Sequence, residues 1–507
     1  MTLLKLQNGS DIRGISLTGI PGEDPNLTQK EAGPLTRGFL LWLWKKTGKP
    51  PQEMKIAIGR DPRLSGKLLM RAAINALGPY GVEVLDCGIA STPAMFMSTK
   101  FSQYACDGAI MLTASHLPYN RNGFKYFSRE GGPDKEDIRQ IIEYAEAGAE
   151  ELGKPTHQDR AIRHIGMLTY PAPATALMDT YAQHLRDLIV EGLGEDDLHP
   201  LKGLKIAVDA GNGSGGFYAR NVLKPLGADV SASQYLEPDG GFPNHPPNPE
   251  DPEAMASIAA AVLRNGADLG LIFDTDVDRS SAVDHCGRGI ARDGIVALAS
   301  VLVSEKHPGS TVVTDSITSN QLTAFLENEL KLKHLRYKRG YKNVINKAKE
   351  ISDAYLAIET SGHSAFRDNY FLDDGAYLAT LIVIKTAQLA HRGKTLDSLL
   401  SSLESPVEER EIRLPITSPD FSPYADQILA DMDVWAGSLP APASLASPNY
   451  EGVRMNFKDG WCLLRKSLHD PIMPLNIASD RAGGAREIAE ALRPFLEKYS
   501  FLDISKL

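Results

Sequence analysis

The chain has 507 residues, of which 42% are hydrophobic and 23% charged, an ordinary globular composition with a formal charge of −10. That length exceeds what one core can hold and calls for three or four domains. With no basic stripe, nucleic acid is excluded as an expected partner, and with no apolar run of about 18 residues, so is a membrane span.

Cys87, Cys106, Cys286 and Cys462 are scattered without metal-type spacing and read as free thiols in a reducing compartment. The opening MTLLKLQNGSDIRG has neither an apolar signal core nor an Arg/Ser-rich character. A cytoplasmic location is expected, with the plastid stroma as the alternative if a transit peptide has been removed.

Taken in chain order, the sequence runs a similar course three times. The first unit opens with the apolar strand Lys55-Ile56-Ala57-Ile58, the turn Gly59-Arg60-Asp61, a helix over 67–77 and a short strand over 83–85. A further strand, Asp107 to Leu112, ends in Thr113-Ala114-Ser115-His116, and a helix over 135–147 closes the unit. Between them Pro118, Asn120, Asn122 and Gly123 force a loop ahead of Lys125. A hydroxyl at the carboxyl end of a strand, beside a histidine and just before a lysine, suits phosphate or acyl chemistry. Alone, the stretch reads first as a polar strand-end turn, and the rest of the chain is what favours chemistry.

The second unit runs from the strand Lys205-Ile206-Ala207-Val208 through Asp209-Ala210-Gly211-Asn212-Gly213 to a short strand at Asp229-Val230. The segment 237–249, rich in Pro, Gly and Asn, must be irregular and reads more as a shaped linker than as a catalytic element. The strand 268–273 then ends in Asp274-Thr275-Asp276-Val277-Asp278-Arg279, and a helix over 294–305 follows. Three carboxylates this close repel one another and need a cation. All-oxygen ligands favour Mg²⁺ over zinc, and no EF-hand loop surrounds them. Arg279 could clamp a phosphate oxygen or orient an aspartate. A solvated acidic turn is the alternative.

The third unit has strands at 311–313, 335–337 and 354–358 and helices over 320–330 and 374–391. Its last strand ends in Glu359-Thr360-Ser361-Gly362-His363, short hydrogen-bonding groups suited to vicinal sugar hydroxyls, or to capping a strand. Lys338, Arg339 and Lys342 add positive charge near Gly340-Tyr341, or form a solvated basic turn. A linker is expected at 417–424. Beyond it, 440–448 reads as a loop, 452–458 and 461–466 as a hairpin around Asp459-Gly460, and 485–499 as an amphipathic helix.

The predicted fold class is α/β, with three similar α/β domains with mixed sheets plus a smaller C-terminal α+β domain around a central active-site cleft. Boundaries are expected at 1–165, 166–307, 308–416 and 417–507.

Together these residues resemble the α-D-phosphohexomutases. The landmarks are Asp11-Ile12-Arg13-Gly14, Gly59-Arg60-Asp61-Pro62-Arg63, Thr113 to His116 with Asn122-Gly123-Phe124-Lys125, Pro238 to Glu250, Asp274 to Arg279 and Glu359 to His363. The resemblance covers nearly the whole chain. It implies an intramolecular phosphotransferase interconverting hexose 1- and 6-phosphates, of glucose or mannose, through a phosphoserine and a hexose 1,6-bisphosphate. Ser115 matches the phosphoserine. Asp274, Asp276, Asp278 and the phosphoserine match the Mg²⁺ ligands. Arg13, His116, Lys125 and Arg279 match groups around the transferring phosphate, with Lys125 the first candidate acid/base and His116 the second. Glu359, Ser361 and His363 match the sugar-binding loop. The four domains would carry the phosphoserine loop, the metal, the sugar and the remote phosphate in that order. Glucose 1,6-bisphosphate is implied as intermediate and activator.

Lys342, Arg465, Ser467 and His469 are the remaining substrate-binding candidates. The last three lie in a phosphate loop that departs from the family pattern Arg-x-Ser-x-Thr-Glu-Pro-x-x-Arg. Arg465, Ser467 and Pro471 survive, whereas His469, Asp470 and Pro474 replace Thr, Glu and the final Arg. Loss of that two-pronged donor weakens the expected grip on the remote phosphate, and His469 compensates in part when protonated. Leu117 and Ser10 stand where Asn and Tyr are common. A phosphotransferase that forms and releases hexose 1,6-bisphosphate, or a sugar-phosphate-binding regulatory protein, would be alternative outcomes. A monomer or homodimer is expected.

Overall fold

The computed structural model describes residues 2–157, 162–164, 167–194, 198–439, 443–467 and 470–507. They fall into two compact units. The first runs to Ala291 and takes in Ser361–Ala365 and Leu372–Ser398, and the second comprises Arg292–Thr360, Phe366–Phe371 and Leu399–Leu507.

The first unit opens with a mixed six-stranded sheet. Lys55–Arg60 and Gly108–Leu112 pair in parallel near its centre. Both are buried on both faces, which is why they read as unbroken apolar runs. Arg121–Ser128 lies antiparallel to Gly108–Leu112, with Lys125 opposite Met111. Asp11–Ile15 lies antiparallel on its other side, with Arg13 opposite Gly123. A side chain at 123 is forbidden, since a Cβ there would meet the carbonyls of Ile12 at 2.1 Å and Thr113 at 2.8 Å. This close approach carries Arg13 toward the strand-end loop. The helices Gln29–Thr47, Gly66–Leu77 and Lys135–Glu146 bury Phe39, Leu69 and Ile141 in one core with Ile56, Ile110 and Phe124.

A second sheet in this unit pairs Leu269–Phe273 in parallel with Ile206–Asp209 and antiparallel with Ser280–Asp284. Phe273 faces Ser280, so 274–279 is the tight connection of a hairpin. The strand expected at Asp229-Val230 is reduced to a single bridge between Lys205 and Asp229. The segment 237–249 is irregular, as expected.

In the second unit, Thr311–Thr314 lies between Lys333–Arg336 and Ala354–Ile358, all parallel. A five-stranded antiparallel sheet follows, in the order Glu408–Pro415, Ile472–Ser479, Gly460–Leu464, Val453–Phe457, Ser444–Leu445. The hairpin around Asp459-Gly460 forms as read. Helices Phe421–Gly437 and Gly484–Leu496 cover one face and bury Ile428, Met432, Ile488 and Leu492 against Leu414, Met455 and Leu475. The linker expected at 417–424 instead enters a helix at Phe421, whose apolar positions Ala425, Ile428 and Met432 recur at helical spacing. The strand Glu408–Pro415 escaped sequence reading because Glu409, Arg410, Glu411 and Arg413 mask its alternation of buried Ile412 and Leu414.

All four cysteines are free thiols, and only Cys286 is exposed. Among the described residues, no helix is long and apolar enough to cross a membrane.

Candidate active site

In the first unit, two strand ends meet. Gly108–Leu112 delivers Thr113 to His116, and Leu269–Phe273 delivers Asp274 to Arg279. Ser115 has φ 49°, left-handed backbone that a non-glycine residue adopts only when its surroundings impose it. Its N–H donates to Thr113 Oγ1 at 2.9 Å. Its Oγ donates to Asp274 Oδ2 at 2.8 Å and accepts from Arg279 Nη2 at 3.1 Å.

Arg279 is the hub. It also meets Asp274 Oδ2 through Nε at 3.3 Å, Asn248 Oδ1 through Nη1 at 3.1 Å, and Glu250 at 3.8 Å. Nη2 donates to His116 Nδ1 at 2.7 Å. A guanidinium cannot accept, so that ring nitrogen carries no proton. Burial, Arg279, His363 and Arg13 push His116 down to about 3, and it is neutral at ordinary pH. This weakens His116 as an acid and leaves Lys125 the better candidate. Arg13 donates to the Thr113 carbonyl and pairs with Asp11 at 2.9 Å.

Asp274, Asp276 and Asp278 are all fully buried, and one oxygen from each lies within 4.8 Å of the others. Lys125 Nζ donates to Asp276 Oδ2 at 3.1 Å and to Asp278 Oδ2. Burial and the charges of Asp278 and Asp276 push Asp274 up to about 8. Burial opposes ionisation of Asp278, but Lys125, His363 and Arg279 hold it below the usual carboxylate range. Asp276 Oδ1 and Asp278 Oδ1 are buried without a hydrogen-bond partner. Orphaned buried carboxylate oxygens in an all-oxygen set fit a hard divalent cation such as Mg²⁺.

His363 belongs to this unit. Its Nδ1 lies 2.6 Å from Asp373 Oδ2 and 3.9 Å from Asp278 Oδ1. Burial lowers its basicity, but Asp373 and Asp278 outweigh that and raise it to about 9. Ser361 is buried in the same unit.

Glu359, Lys342, Arg465 and Ser467 belong to the second unit. Glu359 Oε1 accepts from the Gly340 N–H at 2.6 Å. Lys342 lies in the first turn of the helix Tyr341–Glu350. The Ser467 hydroxyl accepts from the Asp470 N–H at 3.2 Å, and Arg465 Nε is buried without a hydrogen-bond partner. His469 lies outside the described residues.

Sequence reading missed Thr92 and gave no role to Arg63 and Asn248, although both stand in its landmark motifs. Arg63, wholly buried, pairs with Asp61 at 3.1 Å. It donates to the carbonyls of Leu117 at 2.6 Å, Pro118 at 2.7 Å and Arg121 at 3.1 Å, and to that of Ser115. It thus ties down the loop that bears Ser115. Thr92 donates through Oγ1 to Asp276 Oδ2 at 2.5 Å and through N–H to the Asp276 carbonyl at 2.8 Å. The 237–249 segment, read as a linker, brings Asn248 to Arg279. The available signal was charge placed directly after a buried strand, as in Gly59-Arg60-Asp61-Pro62-Arg63.

That segment is pinned by His245, whose Nε2 lies 3.0 Å from Asp209 Oδ2 and whose Nδ1 lies 2.9 Å from the Pro246 carbonyl. Both ring nitrogens face acceptors, so the doubly protonated ring fits. Burial lowers its basicity, yet Asp209 and the Pro246 carbonyl raise it overall. A raised folded-state value gives stability that is fully present below the unfolded value near 6.5 and is lost as pH rises through the folded one. The urea midpoint of wild type should therefore exceed that of His245→Gln most at pH 5.5, with the gap narrowing by pH 8.5. A gap that widens with pH would contradict this.

A strand-end serine held between a carboxylate and a guanidinium, beside a buried acidic cage, defines a site of phosphoryl-transfer type. Comparison with known proteins makes this specific. Residues 5–151, 179–287 and 291–406 match phosphoglucomutase/phosphomannomutase α/β/α domains I, II and III. The chain is 30% identical over 490 residues to a phosphomannomutase of Salmonella typhimurium, covering 94% of this chain and 96% of the other. It is 29% identical to a phosphomannomutase/phosphoglucomutase of Pseudomonas syringae pv. tomato, covering 90% of each. A solved phosphoglucomutase/phosphomannomutase family protein from Burkholderia thailandensis superposes with a TM-score of 0.79 at 25% identity, covering 98% of each chain. The chain belongs to the phosphoglucomutase/phosphomannomutase family of α-D-phosphohexomutases. It is accordingly an isomerase that interconverts hexose phosphates.

Proposed function

We propose that Ser115, as a phosphoserine, donates its phosphoryl group to the free hydroxyl of glucose or mannose monophosphate. The hydroxyl oxygen bonds to phosphorus as the P–Oγ bond breaks, giving a hexose 1,6-bisphosphate. The intermediate turns over, its other phosphate returns to Ser115, and the isomeric monophosphate leaves. The observation that carries this reading is Ser115 Oγ within hydrogen-bond distance of both Asp274 and Arg279.

Arg279 and Arg13 balance charge on the transferring group, where most of the catalysis of phosphoryl transfer resides. Lys125 moves the proton between the hexose hydroxyl and Ser115 Oγ. Asp274, Asp276 and Asp278 would hold Mg²⁺, which when bound neutralises charge on the phosphoryl oxygens. Glu359, Ser361 and His363 are assigned to the sugar, and Lys342, Arg465, Ser467 and His469 to the phosphate that is not being transferred. Trace glucose 1,6-bisphosphate is proposed to load Ser115. The domain division at 1–165, 166–307, 308–416 and 417–507 is part of the same reading.

The test is a coupled assay on glucose 1-phosphate and mannose 1-phosphate, with and without trace bisphosphate. Chelation with EDTA should bring turnover to background and added Mg²⁺ should restore it. Full turnover after exhaustive chelation would exclude the metal role. The comparisons favour neither release of bisphosphate nor a purely regulatory role.

A further inference from the structure

We propose that Arg413 supplies a phosphate-binding guanidinium at the position where the 465–474 loop has none. The inference deepens the assignment of Arg465 and Ser467 to a sugar phosphate and rests on it.

The sheet register carries the proposal. Arg413 is the direct cross-strand partner of Pro474. The Arg465 N–H donates to the Pro474 carbonyl at 3.1 Å. Arg413, Pro474 and Arg465 therefore form one row across neighbouring strands. Ile412 and Leu414 bury into the helix-covered core, so alternation turns Arg413 and Glu411 to the opposite face. Directly opposed residues hold their Cβ atoms about 5 Å apart, so the side chain of Arg413 starts beside the place a side chain at 474 would occupy. Proline offers no charge there.

Arg413 is free to engage a ligand. Its side chain is 69% exposed, and Nε meets Glu411 Oε1 at 3.1 Å. An exposed pair of this kind contributes little and exchanges readily for a better anion. Further cations converge on the same place. Although burial disfavours the Glu411 carboxylate, Arg413, Arg465 and Arg339 together hold it below its ordinary range. Glu451 and Asp315 also face these arginines, and an incoming phosphate competes with the carboxylates by taking paired N–H donors from an arginine fork.

The test compares Arg413→Gln, Arg413→Lys and Arg410→Gln with wild type. Arg410 lies on the same strand, is one residue out of alternation with Arg413, and makes the same change in net charge. Losing one charge-assisted contact should raise KM for glucose 1-phosphate and the calorimetric Kd by about tenfold or more in Arg413→Gln. kcat should stay near wild type, Arg413→Lys should fall between, and Arg410→Gln should leave both constants unchanged. Unchanged constants in Arg413→Gln, or an equal loss in Arg410→Gln, overturn the proposal. Wild-type turnover alone judges the mutase reading. The calorimetric comparison needs no turnover and judges Arg413 separately.

Discussion

Ser115→Ala is expected to abolish hexose phosphate turnover while leaving the fold intact. The Ser115 hydroxyl is the group at the end of Gly108–Leu112 that meets both Asp274 and Arg279, and it is the proposed phosphoryl carrier. Loss of an enzyme's covalent nucleophile costs on the order of 10⁴-fold or more, because surrounding groups cannot replace the bond it forms. Removing one oxygen leaves Asp274 still paired with Arg279 at 3.1 Å, so the urea midpoint should hardly move. The measurement is the coupled assay beside a phosphoprotein analysis of both proteins. Wild type should carry phosphate that exchanges with substrate, and the variant none. Turnover near wild type in the variant would sink the phosphoserine route.

Arg63→Met should have the largest effect on stability. Arg63 and Asp61 have no side-chain exposure, and the guanidinium meets the carboxylate and the carbonyls of Ser115, Leu117, Pro118 and Arg121. Its guanidinium carbon also lies over the Phe242 ring, 5.2 Å from the centroid. Methionine fills part of the volume but strands a buried carboxylate and several carbonyls. Breaking one side of a buried pair costs about 3–5 kcal/mol. The loop bearing Ser115 should loosen as well, so kcat should fall together with the denaturation midpoint. Arg63→Lys keeps the charge but not the planar fork and should recover only part of either. An unaltered midpoint in Arg63→Met would show that the carbonyl network contributes nothing.

The comparison of Ser115 with Arg63 shows what was legible in the sequence. Ser115 and the three aspartates stand in short motifs at the ends of apolar strands, where local pattern announces chemistry. The α/β units were readable for the same reason, since buried parallel strands are continuous apolar runs. Arg63 acts on a loop more than fifty positions away, and no local pattern encodes that reach. Asn248 was hidden in a proline-rich segment whose purpose becomes visible only once His245 is seen fixed to Asp209. The strand Glu408–Pro415 was hidden by its charges, because an edge strand with one solvated face shows the core only every second residue. Arg413 is the sharpest instance, for its place is defined by register with Pro474, about sixty residues on.

The connection between Leu269–Phe273 and Ser280–Asp284 bears the acids and Arg279 in one short hairpin turn. Its geometry is held locally: Asp274 Oδ1 accepts from the N–H groups of Val277 at 3.0 Å and Arg279 at 3.3 Å, and Val277 takes φ 69°. Length in this stretch is therefore constrained together with the identities of the acids and Arg279. Inserting or deleting a single residue would break the spacing at which Asp274 holds the N–H groups of Val277 and Arg279 and would displace the acids from the cation. Conservative exchanges leave the spacing in place. In a random library, frame-preserving indels between 274 and 279 should be absent from active clones, whereas the exposed turn at 285–288 should accept them.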